Sequence, residues 1–429
     1  LLYGASLVYG FSGGRGVYIL PWRALPEVLR LNLHDLTLHA EVLTTQAVTP
    51  ERIQVAAYRV ARSGLAGESM LQDADELLAD RAQVATVTAF HLLRRLIPSP
   101  GLTVNGYPMT PLLLATPAGK AAARRLWDMA EAAKALTRDL AARAGVPVTD
   151  GIAHAFRTRA EFDHARGLID RLARDYGYDR IEALDREAFR ALVPADAYVA
   201  GELDRGAGHL HPLNLALGIA RLADAAGAAI HERAEVVAVV HGTATTPTVV
   251  QTRRGRVLCD QLILAANGYL GDLEPKVAAR VMPINNFIVA TEPLGPRAAE
   301  VLTRPIGVHD TKFVVNYWRL DPEGRLIFGG GENVSYRFPA DIFAKVRKPL
   351  LQIYPTLADL KLTHAWGGTL AITMNRMPCF IRPAPNCLSA SGYSGHGLAL
   401  ACLAGKLMAD AIQGQSEGFD AMAALPHPP

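Results

Sequence analysis

Cysteine, long apolar runs and an excess of charge of either sign are what this sequence has little of. Its four cysteines form no CxxC pair and lie in apolar runs, a pattern typical of buried free thiols. No apolar run reaches the roughly 18–20 residues that a membrane-spanning helix needs. A net charge of +3 argues against a nucleic-acid partner. These absences leave a globular protein as the class that the composition favours. Its 50% apolar content is enough for a large core.

The chain length of 429 residues is sufficient for two domains or one large one. The first ten residues, LLYGASLVYG, have no basic segment of the kind that opens a signal peptide. Together with the free thiols, this start predicts a cytoplasmic protein.

Residues 1–117 form an atypical segment whose structure the sequence does not predict clearly. Prolines interrupt its apolar pattern at Pro21, Pro26, Pro50, Pro98, Pro100, Pro108 and Pro111. One helix is compatible with Glu76–Leu96. A glycine cluster at residues 10–16 follows an apolar run but leads into VYILPW, which is not a helix, so it has the wrong context for a phosphate-binding loop.

Beyond residue 115, helices are predicted from apolar spacing together with capping residues. Thr116 is an N-cap candidate with Pro117 at the first helical position. The predicted helices run from Pro117 to a Gly145 cap, over Arg159–Tyr176 before Gly177, after Asp185, from Pro212 to Gly227, and near Pro339–Leu351.

Strand patterns fall into two groups. A hairpin turning at Arg254-Gly255 precedes LILAAN (Leu262–Asn267), which has the composition of a buried parallel strand ending in a loop of small residues. A ligand can rest on such a loop, at the edge where α/β sheets bind them. From Pro283 to Gly331, the runs NNFIVATEPL, KFVVNYWRL and GRLIFGGG predict an antiparallel sheet, and LTHAWGGTLAIT adds another strand.

The most informative stretch is Asn386–Gln413, which predicts a strand, a glycine turn and a helix of about four turns. Glycines at Gly392, Gly395 and Gly397 let the backbone approach a ligand closely. The start of the helix offers free N–H groups and the positive end of the helix dipole. We expect something anionic or electron-rich over Gly395–Leu398.

Several segments together resemble the D-amino-acid oxidase-like FAD-dependent oxidoreductases, with the bacterial gamma-glutamylputrescine oxidases as the nearest branch. These segments are GHLHP (Gly208–Pro212), AANGYLGD (Ala265–Asp272), INNFIVATEPL, YWRL, GRLIFGGGE, RMPCF and the turn Gly392–Leu398 with its flanks. The resemblance covers about residues 118–429. It implies an α/β (α+β) fold with a Rossmann-like FAD-binding domain and an inserted antiparallel-sheet substrate domain.

The resemblance also divides the chain. Residues 118–280 and 365–429 correspond to portions of the FAD-binding domain, and residues 281–364 to the substrate domain. The family's N-terminal strand, GxGxxG turn and helix, which bind the pyrophosphate, are not found in residues 1–118. The FAD-binding domain is therefore expected to be incomplete at its N-terminus. One explanation is that residues 1–118 come from a wrong reading frame or a replacement.

Roles for individual residues follow from the resemblance. Val236, within Glu235–Val237, would lie by the adenine. Ala265, Ala266, Asn267 and Gly268 would lie by the pyrophosphate. Gly392, Tyr393, Ser394, Gly395, His396, Gly397 and Leu398 would lie at the flavin ring. Reduced flavin carries negative charge, so a helix start there would stabilise it by about 1 kcal/mol or more.

Some of these residues have an ordinary structural interpretation beside the functional one. His396 could face the flavin or only cap the helix, Tyr393 and Ser394 could contact a ligand or belong to the turn, and Trp366 could pack on the flavin or in the core. Tyr317, Arg319 and Arg376 are substrate candidates. Arg319 could hold a carboxylate in a bidentate pair or lie at a sheet edge, and Arg376 could be solvent-facing. His209 and His211 form an HxH pair without an evident third metal ligand, so no metal site is predicted.

The sequence therefore predicts an FAD-dependent amine oxidase. It would oxidise the C–N bond of a small-molecule amine or amino-acid derivative, such as gamma-glutamylputrescine, to an imine and then an aldehyde. The flavin carries the chemistry, so no catalytic side chain is assigned. Oxygen or another acceptor would reoxidise the flavin. The alternative is an inactive member of the family that does not hold FAD.

Overall fold

The structure, a computed structural model, describes residues 102–104, 107–109, 117–243, 245–312, 314–333 and 337–425. The glycine cluster at residues 10–16, the predicted helix Glu76–Leu96 and the Thr116 cap lie outside these residues. The described part begins with a short hairpin of β1 (Leu102–Val104) and β2 (Tyr107–Met109).

Helices form close to the bounds that apolar spacing and capping residues predict. They are α1 (Pro117–Arg143), α2 (Arg159–Tyr176), α3 (Arg186–Leu192), α4 (Pro212–Ala225), α5 (Pro275–Ala278), α6 (Ile342–Ile353), α7 (Gly397–Ile412) and α8 (Glu417–Ala423). Thr158 and Glu161 form a capping box at the start of α2, and Gly177 ends that helix in the left-handed conformation at φ 69°. Among the described helices, none combines the length and apolarity needed to cross a bilayer.

The strands form three larger sheets. They are β3 (Thr149–Phe156), β4 (Ile181–Leu184), β5 (Ala200–His209), β6 (Val236–Val240), β7 (Thr248–Thr252), β8 (Gly255–Cys259), β9 (Leu262–Leu264), β10 (Met282–Pro293), β11 (Gly307–Asp310), β12 (Tyr317–Leu320), β13 (Arg325–Asn333), β14 (Leu362–Ile372), β15 (Cys379–Ala384) and β16 (Cys387–Ser391). The orders are β14-β10-β13-β12-β11-β3-β5-β4, β15-β16-β9 and β6-β7-β8.

The eight-stranded large sheet is antiparallel except where β11 pairs with β3. It contains the predicted antiparallel strands of residues 283–331, together with β3, β4 and β5, which the sequence did not assign to it. The proposed division of the chain at residue 281 stays a prediction. One face of this sheet is the main core, where Phe287, Trp318 and Phe328 are at most 2% exposed and pack with Phe189 of α3 and Leu350 of α6.

The opposite face of the large sheet carries a line of residues paired from strand to strand, which we name the cross-strand row. Because paired residues on neighbouring strands point to the same face, the row lies on the side away from the core. Its members, from β14 to β5, are Trp366, Ile288, Gly329, Tyr317, His309, His154 and Glu202. A polar, half-buried row of this kind suits a ligand-facing surface better than a second core.

The small sheet β15-β16-β9 packs against α1, α7 and α8. Phe380, Leu388, Leu400 and Met408 share this second core with Trp127 of α1. The predicted strand, turn and helix at Asn386–Gln413 are therefore present, with β16 fully buried and α7 following it. All four cysteines are free, as predicted, and Cys379 and Cys387 are buried in this layer.

The prediction for LILAAN is only partly correct. β9 is parallel to β16, as predicted, but it ends at Leu264, and Ile263 is 38% exposed. Ala265 and Ala266 are exposed, and the chain then makes a 3-10 turn over Asn267–Tyr269. The strand is less buried than its composition indicates because its partner in the described part of the chain is β16 alone.

Candidate functional site

The turn between β16 and α7 is held in a left-handed conformation that glycine accepts most easily. Gly392 and Gly395 have φ angles of 70° and 93°, and Ser394, at φ 53°, is one of few non-glycine residues with positive φ. The turn is bonded directly to the end of β14, since Ser394 N donates to Ala371 O at 3.1 Å. The glycine turn is thus fixed against the large sheet.

The start of α7 keeps its N–H groups available. His396 occupies the N-cap position, but its side chain makes no capping hydrogen bond. Of the two interpretations of His396, the structure therefore does not favour a capping role for its imidazole. The uncapped N–H groups at Gly397 and Leu398, at the positive end of the helix dipole, suit a partner with negative charge.

The loop after β9 adjoins the glycine turn. Asn267 Oδ1 accepts a hydrogen bond from Gly392 N at 3.1 Å. Gly268 is packed so closely on β14 that a Cβ atom there would lie 2.4 Å from Thr369 O. The two segments expected to touch opposite parts of one cofactor are therefore joined by a hydrogen bond.

Tyr393 and Ser394 face inward. Tyr393 is 8% exposed, belongs to the second core and donates its hydroxyl to Ala390 O at 3.2 Å. Ser394 Oγ is hydrogen-bonded to Thr373 N and to Gly392 O. These contacts are those of ordinary turn residues, one of the two interpretations that the sequence left open.

A polar chain crosses three strands of the large sheet beside the turn. The hydroxyl of Tyr317 donates to Asn286 Oδ1, and Asn286 also bonds the carboxylate of Glu332, its cross-strand partner. Burial raises the pKa of Glu332 above its usual range, and the positive charge of Arg376 partly opposes that rise. Burial likewise raises the pKa of Tyr317, which stays protonated.

Histidines lie in and near the cross-strand row. The rings of His154 and His309 stack with centroids 4.2 Å apart, and His154 Nδ1 lies 3.5 Å from Glu202 Oε1. Burial, with the neighbouring His154 and His396, holds the pKa of His309 well below its usual value. Loss of water around its ring lowers the pKa of His396 too, although part of its surface is exposed, and Arg376 adds to the effect. Both imidazoles are therefore neutral at neutral pH.

The remaining substrate candidates separate in space. Tyr317 and Arg319 face the same side of β12, and Trp318 faces the core, as alternation predicts. Arg319 lies two residues farther from the Glu332 end of the sheet, where it acts electrostatically on His209. Arg376, in contrast, lies within electrostatic reach of both Glu332 and His396. The geometry groups Arg376 and Tyr317, and leaves Arg319 off the row, two residues along β12 on the side away from Glu332.

Trp366 and Val236 are both at the surface. The Trp366 side chain is 42% exposed on β14, so it does not belong to the core and stays available to a ligand. Val236 is 37% exposed at the start of β6, next to Glu235, whose carboxylate pairs with exposed Arg253. Nothing in these contacts distinguishes an adenine site from an ordinary sheet edge.

The residues around the glycine turn fit the ring end of FAD. The N–H groups that begin α7 are uncapped, and a Cβ at Gly395 would meet nothing within 4 Å, so the backbone faces open space. Ser391 Oγ, buried just before the turn, has no hydrogen-bond partner. An acceptor-rich ring bound here would meet the uncapped N–H groups at the start of α7.

Sequence reasoning missed Asn286, Glu332, His309 and His154. The alternation in NNFIVATEPL places Asn286 on the same face as Ile288, which was the available signal. His309 and His154 come together through the parallel β11–β3 pairing, which joins distant segments and leaves no local pattern. Among the described residues, no group of three or more His, Cys, Asp or Glu could hold a metal ion.

Comparison with known proteins identifies the family. A family model described as DAO, FAD dependent oxidoreductase, matches residues 55–411, and so begins upstream of the motifs noted above. "Probable oxidoreductase OrdL" of Rhizobium meliloti (strain 1021) is 37% identical over 313 residues, 72% of either chain. "Gamma-glutamylputrescine oxidoreductase" of Escherichia coli (strain K12) is 39% identical over 256 residues, 59% of either chain.

Solved structures show the same fold. The L-proline dehydrogenase from P. horikoshii superposes with a TM-score of 0.58 at 20% identity, covering 69% of this chain and 82% of that one. The glycine oxidase from Geobacillus kaustophilus gives 0.57 at 19% identity, covering 68% and 80%. At these identities the likeness concerns the fold alone.

Proposed function

The chain belongs to the family of FAD-dependent oxidoreductases, and from that premise we propose that it oxidises the C–N bond of an amine such as gamma-glutamylputrescine. The substrate would enter as a small molecule, and oxygen or another acceptor would take the electrons onward. The observation that carries the proposal is the uncapped start of α7, where neutral His396 lies within electrostatic reach of neutral His309 and of Arg376, which in turn reaches the half-buried carboxylate of Glu332.

When bound, FAD supplies the acceptor for the hydride that leaves the carbon next to nitrogen. Gly397 and Leu398 would present N–H groups to the negative charge that develops on its ring. Asn267, Gly268 and the exposed Ala265–Ala266 pair would lie along its phosphates. Tyr317 and Trp366, on the row above the turn, would bound the substrate. Neutral His309 and His396 add no positive charge that would repel an amine.

Relatives support the amine class without fixing the substrate. The Escherichia coli relative is a gamma-glutamylputrescine oxidoreductase by name, and this chain spans 59% of it. Arg376 is the proposed partner for a carboxylate on the substrate, since it lies by Glu332 and His396. Arg319 is the second proposed carboxylate partner and would suit a longer substrate. Four free thiols support the proposed cytoplasmic location.

The test begins with the purified full chain and its visible absorption spectrum. We expect oxidised-flavin bands, either as purified or after addition of FAD, and bleaching of those bands by gamma-glutamylputrescine without oxygen. A D-amino acid and an N-methyl amino acid serve as comparison substrates. A colourless chain that does not take up FAD would overturn the proposal and favour the inactive alternative.

A matched pair of variants tests the role of α7. Leu398, at the start of the helix, is 39% exposed. Leu398→Glu places a negative charge beside the ring, and Leu398→Gln has nearly the same shape without the charge. We expect the Glu variant to slow anaerobic flavin reduction by roughly tenfold relative to the Gln variant, the equivalent of about 1 kcal/mol or slightly more. Equal rates would argue against charge stabilisation by this helix.

A further inference from the structure

The polar chain beside the glycine turn has a direction. Tyr317 donates to Asn286 Oδ1, so the amide of Asn286 must direct its NH₂ group toward Glu332. Asn286 and Glu332 are also paired across β10 and β13, which fixes their separation. The carboxylate of Glu332 is therefore held in one orientation by residues on two other strands.

Glu332 differs from a carboxylate with a purely structural role. Asp310, in the same sheet, is 1% exposed and accepts hydrogen bonds from Arg157, Tyr198 and Asn316. The carboxylate oxygens of Asp310 are therefore already occupied by hydrogen-bond donors of the protein itself. Glu332 remains half-buried, so part of its surface is accessible from outside.

The surroundings of Glu332 suit a cation. Gly368, opposite Asn286 on β14, has no side chain, and a Cβ there would meet only Tyr269 Oη at 3.6 Å. Trp366, two residues along the same face of β14, has a 42% exposed side chain. Glu332 lies on that face too, two strands away, so an ammonium group can pair with the carboxylate while another part of the same ligand extends toward the indole.

We infer that Glu332 binds the terminal ammonium group of the substrate, which loses a proton to water before hydride can leave the neighbouring carbon, and that Asn286 and Tyr317 are positioning residues that hold the carboxylate in place. This inference rests on the proposed amine oxidation and names the residue that selects amines over neutral molecules. Trp366 supplies an apolar surface on the same face, two strands away, for the part of the substrate that extends from the carboxylate. Arg376 balances the charge of Glu332 in the free protein and contacts the anionic part of a substrate that has one.

The experiment compares, on the full chain, two ligands of similar shape that differ only in whether the terminal group is charged. Calorimetry measures the Kd of gamma-glutamylputrescine and of its analogue in which a hydroxyl replaces the terminal amine. The variant Glu332→Gln keeps the size of the side chain and an acceptor for Asn286. The control Glu182→Gln removes an exposed carboxylate from β4, at the far edge of the same sheet.

Glu332→Gln should weaken binding of the amine roughly 10- to 100-fold and change binding of the alcohol less than about threefold. The control should change neither. Equal losses for both ligands would reduce Glu332 to a structural role, and no loss would overturn the inference outright. Because heat is measured, not flavin colour, a chain without FAD still gives these values, and failure of the proposed oxidation is recognised separately by the spectrum.

Steady-state kinetics add a second readout wherever the chain is active. Asn286→Ala should raise KM for the amine and leave kcat within about threefold. The change removes the hydrogen bond that orients the carboxylate of Glu332, and it does not touch the reacting carbon. Asn286→Asp, which places a like charge beside Glu332, should raise KM further. A fall in kcat at unchanged KM for both variants would contradict the positioning role.

Discussion

The glycine turn offers a sharp test of how the site is built, through Gly392→Ala. The backbone there has φ 70°, and an added Cβ would lie 2.4 Å from Cγ2 of Thr373. The left-handed conformation costs an alanine about 1–2 kcal/mol, and the steric overlap adds roughly 1–3 kcal/mol. We expect the free energy of unfolding to fall by about 2–5 kcal/mol.

Two further variants separate these contributions. Gly395→Ala has φ 93° but meets nothing within 4 Å, so it should lose only the conformational part, about 1–2 kcal/mol. Thr373→Ser removes the methyl group that Gly392→Ala would strike. It retains the hydroxyl that donates to Met377 O, and alone it should lose about 1 kcal/mol.

The double variant Gly392→Ala with Thr373→Ser should therefore be more stable than the sum of its single changes by roughly 1–3 kcal/mol. Urea unfolding gives the free energies, and titration with FAD shows whether the turn keeps its affinity. Strictly additive losses, or a Gly392→Ala variant no weaker than Gly395→Ala, would refute the packing of this turn against β14.

Three other expectations concern the row and the thiols. Between its lowered folded pKa and the usual 6.5, His309 stays neutral while its unfolded counterpart binds a proton, so stability falls as pH drops below about 6.5. His309→Gln should reduce the pH dependence of the free energy of unfolding below pH 6.5 by up to about 1.4 kcal/mol per pH unit. Urea unfolding at several pH values measures this slope, and an unchanged slope would contradict the role of His309. Gly329→Ala would bring a Cβ within 2.0 Å of the Tyr317 ring, so the ring must move. We expect KM for amines to rise as a result. An unchanged KM would mean that the Tyr317 ring does not contact the substrate. Burial raises the pKa of Cys379 to about 11 and that of Cys387 to about 12. A disulfide reagent at pH 8 should therefore label these two thiols only after unfolding. Rapid labelling of the native chain would disprove their burial.

The local parts of this fold were readable from the sequence. The helix predicted at about Arg159–Tyr176 is observed with those bounds, because Gly177 ends it and its apolar residues recur at helical spacing. The strand, turn and helix around Gly392 were equally clear, since glycines interrupt two different periodicities. What these patterns share is that the residues that determine them lie within a few positions of one another.

Most contacts within the site could not be predicted from the sequence, because they form between distant segments. Glu332 and Asn286 meet only through the register of β10 and β13, and a bulge between Asn286 and Ile288 shifts that register. His154 and His309 meet through a parallel pairing of segments about 150 residues apart. Neither the shift nor the pairing has a local signature, so the row could be assembled only from the three-dimensional arrangement.

The hydrogen bonds between the glycine turn and the end of β14 set the distance of the turn from the large sheet. Ser394 N donates to Ala371 O, Thr373 N donates to Ser394 Oγ, and Thr369 N donates to the hydroxyl of Tyr269 in the loop after β9. Moving the turn and this loop away from β14 would break all three hydrogen bonds at once. A ligand at the start of α7 must therefore fit the spacing that the fold provides, because widening it costs several hydrogen bonds.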